Sequence, residues 1–192
     1  MSNIREHLQT TLVSTERILG SVANDDWAQP SVCDDWTVRQ LAEHLVGSCA
    51  LTASVLSAQP SPGRPEYAET PNDQLATEYG HAGRVVLDAL ADPAVLTQTV
   101  IVGFGPVPGA VAARLCLVET IVHGWDVAHS TGQEVTFDDA AVAEALQFSE
   151  GMMSQVPAER SPFAASRAVA GDAPPLDRLV ALLGRDPSTT TG

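Results

Sequence analysis

The sequence predicts an all-α protein: a helical bundle with an additional C-terminal helical segment. Apolar residues recur at i, i+3, i+4 and i+7 along five stretches, and turn-prone segments rich in Pro, Gly and Asp separate them. Hydrophobic residues reach 44% of the 192 while aromatics stay at 5%. A core of Ala, Leu and Val suits packed helices better than an aromatic-rich sandwich.

The first helix is expected over Ser2 to Val22, where Ile4, Leu8, Leu12, Thr15, Leu19 and Val22 recur at helical spacing. It ends before Asn24-Asp25-Asp26. The second has the clearest start, because Thr37 followed by Gln40 is a capping-box pattern. Trp36 and Leu41 occupy the flanking positions of a hydrophobic staple, and the helix runs to about Leu56. The connector SAQPSPGRPEYAETPND cannot continue it, since its prolines lack the N–H a helix interior needs. A third helix is expected over Asp73 to Leu90, with Leu75, Tyr79, Val86 and Leu90 on one stripe; Asp92-Pro93 stops it. The β-branched, then Gly/Pro-rich LTQTVIVGFGPVPG reads as an extended segment or short hairpin. Gly109 opens the fourth helix, and Gly132 sits where a left-handed cap closes one. A fifth helix, Asp138 to Val156, takes Thr136 or Asp138 as its cap. Near the end, PPLDRLVALLG combines Pro at the start with Gly184 at the stop of a short helix. Only the closing STTTG reads as disordered. Residues 1–156 are thus expected to form the bundle, with an extension over 157–192 whose short helix packs on the same domain.

Length alone permits one core without covalent staples. The formal charge of -14 offers no basic footprint for nucleic acid and disfavours an anionic membrane surface. No window is long and apolar enough to cross a bilayer, and MSNIREHLQTT does not read as a signal peptide. Cys33, Cys49 and Cys116 lack C-x-x-C spacing and cannot all pair within one chain, which reads as reduced thiols in a cytoplasmic protein.

Five histidines can each be placed on a helix at about 100° per residue. His44 shares a sector with Leu41, Ser48, Leu51 and Val55, and so is expected to face the bundle interior. Glu119 and His123 are four apart and stack one turn above the other, among Ala112, Leu115, Cys116, Val122 and Asp126. A carboxylate on such a side is costly unless paired. Two imidazoles and a carboxylate suit a divalent first-row ion. An ordinary Glu–His hydrogen bond beside a core histidine fits the same spacing. Glu78 and His81 form E-x-x-H, a di-iron ligand motif, yet no second copy exists and His81 falls on a flank expected to be solvated. His7 is expected to be exposed, and His129 points away from His123. Asp126 can hold the His123 imidazole from behind or make a surface contact. Cys116 can approach an ion or lie inert in the core. Trp36 and Trp125 can line a pocket or serve packing.

Two of these segments, DDWTVRQLAEHLVGS and VETIVHGWDVAHSTGQ, resemble the metal-binding domain of mycothiol-dependent maleylpyruvate isomerases, within the DinB-like superfamily. The resemblance covers about residues 1–155. It implies a DinB-like four-helix bundle whose metal is held by His44, Glu119 and His123, with Zn²⁺ first in order and Ni²⁺ next. It further implies a metal-dependent transferase or isomerase that takes mycothiol, or another low-molecular-weight thiol, and an electrophilic substrate. A homodimer is compatible with the superfamily, although no residue selects its surface. Roughly 35 residues follow the fifth helix, too few for a second independent core, so maleylpyruvate itself is not the expected substrate. Two further readings stand beside this one. One is hydrolysis by metal-bound water; the other is a non-catalytic bundle whose ion is closed off by Cys116 or Asp126.

Overall fold

The computed structural model describes residues 3–33, 36–58, 70–155 and 164–188. Its helices are α1 (Ile4–Gly20), α2 (Val38–Leu56), α3 (Leu75–Ala89), α4 (Gly109–Ser130), α5 (Asp139–Met153) and α6 (Pro175–Leu182). Strands β1 (Thr99–Val102) and β2 (Gly105–Pro108) form an antiparallel hairpin pairing Thr99 with Pro108 and Val102 with Gly105. The architecture is all-α apart from that hairpin. Expected helix ends at Ser2 and Val156, most of the 57–73 connector and nearly all of STTTG lie outside the described residues. A short 3-10 turn, Asn72–Gln74, precedes α3 where the helix itself was expected to begin.

Helices α1 to α4 pack in a ring: α1 against α3, α3 against α2, α2 against α4, and α4 back against α1. Helix α5 then covers α4, and α6 packs on α5. Enclosed between α1, α2 and α5, α4 is buried at every residue from Thr120 to Ala128. A helix without a solvent side must satisfy its polar groups inside the protein. The Tyr79 hydroxyl donates to Thr120 Oγ1 at 3.1 Å, and Thr15 Oγ1 donates to the Thr120 carbonyl at 3.0 Å. These bonds tie α1 and α3 to the middle of α4. Among the described residues, no helix is long and apolar enough to cross a membrane.

Local chemistry fixes the helix ends. At the start of α2, the Thr37 hydroxyl accepts from the Gln40 amide, and Gln40 Oε1 accepts from the Thr37 amide at 2.9 Å. A cap of this kind contributes about 1 kcal/mol. Asp138 caps α5 by accepting from the Ala141 amide. Past α4, Gly132 takes φ 65°, and the Gln133 amide reaches back to the Ala128 carbonyl at 2.9 Å. The same left-handed closure ends α6: Gly184 takes φ 90°, and the Arg185 amide reaches the Val180 carbonyl at 2.9 Å.

Gly184 has a second constraint, because a Cβ there would lie 2.6 Å from that of Ala164. Gly132 has open space around it. Gly132→Ala should therefore cost about 1–2 kcal/mol from backbone conformation alone, and Gly184→Ala more. Urea midpoints of the two variants, compared with the parent, check the order.

Candidate metal centre

Helices α2 and α4 are neighbours in the ring, and that contact brings together residues 75 positions apart. His44 Nε2 lies 3.1 Å from Glu119 Oε2, and His123 Nε2 lies 3.5 Å from the same oxygen. The two imidazoles meet edge to face with centroids 4.9 Å apart. One donor atom from each of the three residues falls within 4.8 Å of the others. They line a cavity of about 710 Å³ whose other walls include Trp36, Trp125, Arg167 and Arg185.

His44 departs from its expected place. The buried stripe of α2 runs through Leu41, Leu45, Cys49 and Leu56, whereas Leu51, in the sector assigned to His44, is 41% exposed. His44 therefore sits at the margin of the core and faces the cavity, with Trp36 tilted against its ring at 4.9 Å. Trp36 covers the site as well as preceding the α2 cap.

His123 is held from behind. Its Nδ1 lies 2.9 Å from Asp126 Oδ2, and Asp126 is fully buried. Burial pushes the Asp126 carboxyl up, but hydrogen bonds from His123 and Arg185, with their charges, outweigh it and hold the group below its ordinary range. An ionised carboxylate only accepts, so Nδ1 is the nitrogen that donates to Asp126, and Nε2 is the one turned toward Glu119 and the cavity. Glu119 behaves alike: burial raises it, while the His44 hydrogen bond and the charges of His123, His44 and Arg185 bring it below the usual range.

Two members of this cluster went unassigned in the sequence. Arg185, just past the α6 cap, lays a two-pronged guanidinium on Asp126: Nε to Oδ1 at 3.1 Å and Nη2 to Oδ2 at 2.7 Å. Cys33, from the loop before α2, donates its thiol to Asp126 Oδ2 at 3.1 Å. Burial, then the adjacent carboxylate, pushes that thiol up to about 12. Cys33, His123 and Asp126 make a second set of convergent donors. The guanidinium, 3.6 Å from the Cys33 sulfur, already supplies a cation there.

The remaining candidates separate cleanly. Glu78 and His81 are both exposed on α3. His7 is not exposed as expected: its side chain is 17% accessible and its Nδ1 lies 3.9 Å from Asp138 at the start of α5. His129 stacks on Trp125 with centroids 4.4 Å apart. Cys116 is buried against Cys49; among the described residues neither it nor Asp126 joins the His44, Glu119 and His123 group.

The donor set fits a divalent ion. Zinc bonds of about 2.0–2.1 Å give tetrahedral edges of about 3.3 Å, and the 3.1 and 3.5 Å separations bracket that length.

Residues 9–128 match the family described as the mycothiol maleylpyruvate isomerase N-terminal domain. The chain belongs to this family. It is 30% identical over 170 residues to an uncharacterized protein of Mycobacterium tuberculosis strain H37Rv, covering 88% of this chain and 90% of that one. The counterpart in strain CDC 1551 gives the same values. Among solved structures, the mycothiol-dependent maleylpyruvate isomerase is similar with a TM-score of 0.54 and 19% identity, over 76% of this chain and 68% of the other. A histidine-to-alanine mutant of that enzyme gives the same TM-score at 18% identity. The likeness carries the helical fold.

Of the three cysteines, Cys33 alone lines the cavity, while Cys49 and Cys116 are each 3% exposed. Ellman's reagent at pH 8 should label one thiol per native chain, slowly, and the other two only in denaturant. Cys33→Ser should abolish the native-state reaction; three equivalents reacting at once would contradict the arrangement.

Proposed function

We propose that this protein is a divalent-metal-dependent thiol transferase or isomerase. In this reading His44, Glu119 and His123 are the ligands, and mycothiol, or another low-molecular-weight thiol, is the cosubstrate. The observation that carries it is the convergence of three donor atoms within 4.8 Å on the wall of an open cavity. Family membership supports the thiol. When bound, a divalent ion with three protein ligands supplies Lewis acidity, which holds a coordinating thiol as its nucleophilic thiolate.

The chain's own residues do the rest. His123 is oriented by Asp126, so its Nε2 points at the cavity. Glu119 brings the negative charge that offsets a dication, and it does so where solvent is partly excluded. Trp36 and Trp125 provide apolar walls against which an electrophile and the carbon skeleton of a thiol can rest. The nearby protein thiol, Cys33, is committed to Asp126, which leaves the nucleophile to come from outside. Three free cysteines accord with the reducing cytoplasm in which such a thiol cosubstrate is kept.

Metal analysis of the native protein should find about one ion per chain, reduced at least tenfold in His44→Ala, in line with the loss of one of three ligands. Calorimetry should then detect thiol binding to the loaded protein and none to the stripped protein. Undiminished metal in the variant would reject the ligand set. Metal without thiol binding would keep the ligands and reject the transferase, and hydrolytic turnover without any thiol would favour metal-bound water.

A further inference from the structure

The ligand positions lie on α2 and α4, inside the family match, yet a large part of the cavity wall does not. Ala164, Arg167, Leu183, Gly184, Arg185 and Asp186 all come from beyond residue 128. Among them, Arg185 reaches through the wall to the ligand helix. Arg185 is 13% exposed and carries two hydrogen bonds to a carboxylate with no solvent contact.

We propose that Arg185 is a positioning residue for the metal centre: its guanidinium fixes the Asp126 carboxylate, and Asp126 fixes the His123 ring. This rests on the metal reading above and deepens it, by making the C-terminal segment part of the site. The chain of contacts is continuous. The left-handed turn at Gly184 sets the Arg185 backbone, Nη1 anchors to the Leu183 carbonyl at 2.8 Å, and the other two nitrogens, Nε and Nη2, grip both oxygens of Asp126. Oδ2 is thereby aimed at His123 Nδ1, 2.9 Å away. Without the guanidinium, Oδ1 loses its partner in a site closed to water. The carboxylate is then no longer held in place and turns toward other donors, which releases Nδ1. An imidazole released at Nδ1 samples both tautomers and a wider range of ring angles, so fewer of its states present Nε2 to an ion. Lysine cannot replace this fork, because an ammonium is a point charge without two parallel donors.

The test uses the full chain as wild type, Arg185→Met, Arg185→Lys, Asp126→Asn and the Asp126→Asn/Arg185→Met double variant, each checked for native helix content by circular dichroism. Cobalt(II) titration followed by visible absorption reads affinity, and nitrogen-15 shifts of metal-free protein at pH 8 read the His123 tautomer. Arg185→Met should bind cobalt about 10–100-fold more weakly, and Arg185→Lys should fall between it and wild type. The double variant should bind no more weakly than Asp126→Asn alone, because the arginine acts through that carboxylate. In wild type His123 should be a single Nδ1–H tautomer; in Arg185→Met it should be a mixture. Wild-type affinity and an unchanged tautomer in Arg185→Met, or losses that simply add in the double variant, would overturn the proposal. Should Arg185→Met fail to fold, Arg185→Lys decides by the same two readouts, wild-type values again overturning it. If wild type takes up no cobalt, the metal reading fails, and the tautomer comparison still decides the role of Arg185.

Discussion

Helix α4 is buried at every residue from Thr120 to Ala128, yet it carries His123 and Asp126 there, with half-buried Glu119 immediately before them. That constraint organises the molecule. A buried charge without a partner costs several kcal/mol, so each of these groups must be answered by something from another element or on the same helix. Glu119 is answered by His44 from α2, and Asp126 by His123, Cys33 and Arg185. Two elements outside the four-helix ring, the loop before α2 and the segment after α6, are drawn onto α4 by one carboxylate.

The consequence is a site with two sides. Toward the cavity, imidazole nitrogens and a carboxylate oxygen converge with room beyond them. Toward the interior, a guanidinium, a thiol and an imidazole N–H saturate Asp126. The first side has the donor types of a metal centre and the second already holds its own cation. His123 belongs to both, one ring nitrogen on each, which is why the orientation of that single ring links the buried cluster to the open one.

Much of this was legible in the sequence. Apolar periodicity located five of the described helices and the Pro-to-Gly184 asymmetry the short sixth, while Thr37-x-x-Gln40, Asp138, Gly132 and Gly184 marked helix ends because those positions need particular side chains or φ values. The i, i+4 spacing of Glu119 and His123 is a property of one helix and needs no tertiary knowledge. The family resemblance supplied His44, whose angular sector pointed to the core while the residue sits at its margin; periodicity averages over a face and does not see where a neighbouring helix ends. His7 was misread for a similar reason, since α5 arrives from far along the chain to cover it. Cys33 and Arg185 had no local signature at all. The one available hint was electrostatic: an aspartate on the buried side of α4 demanded a cation, but ten arginines were candidates and only tertiary packing chooses among them.

The backbone of residues 164–188 makes its hydrogen bonds within itself among the described residues, from Arg167 to Ala181 and through the turns around α6. It meets the rest of the protein by side chains, through α5 and the Asp126 contact. Rigid bundle helices thus carry the reactive donors, and a separately hydrogen-bonded flap of chain shapes the space above them. Divergence within such a lineage can remodel the flap to admit new reactants while the reactive floor is inherited intact.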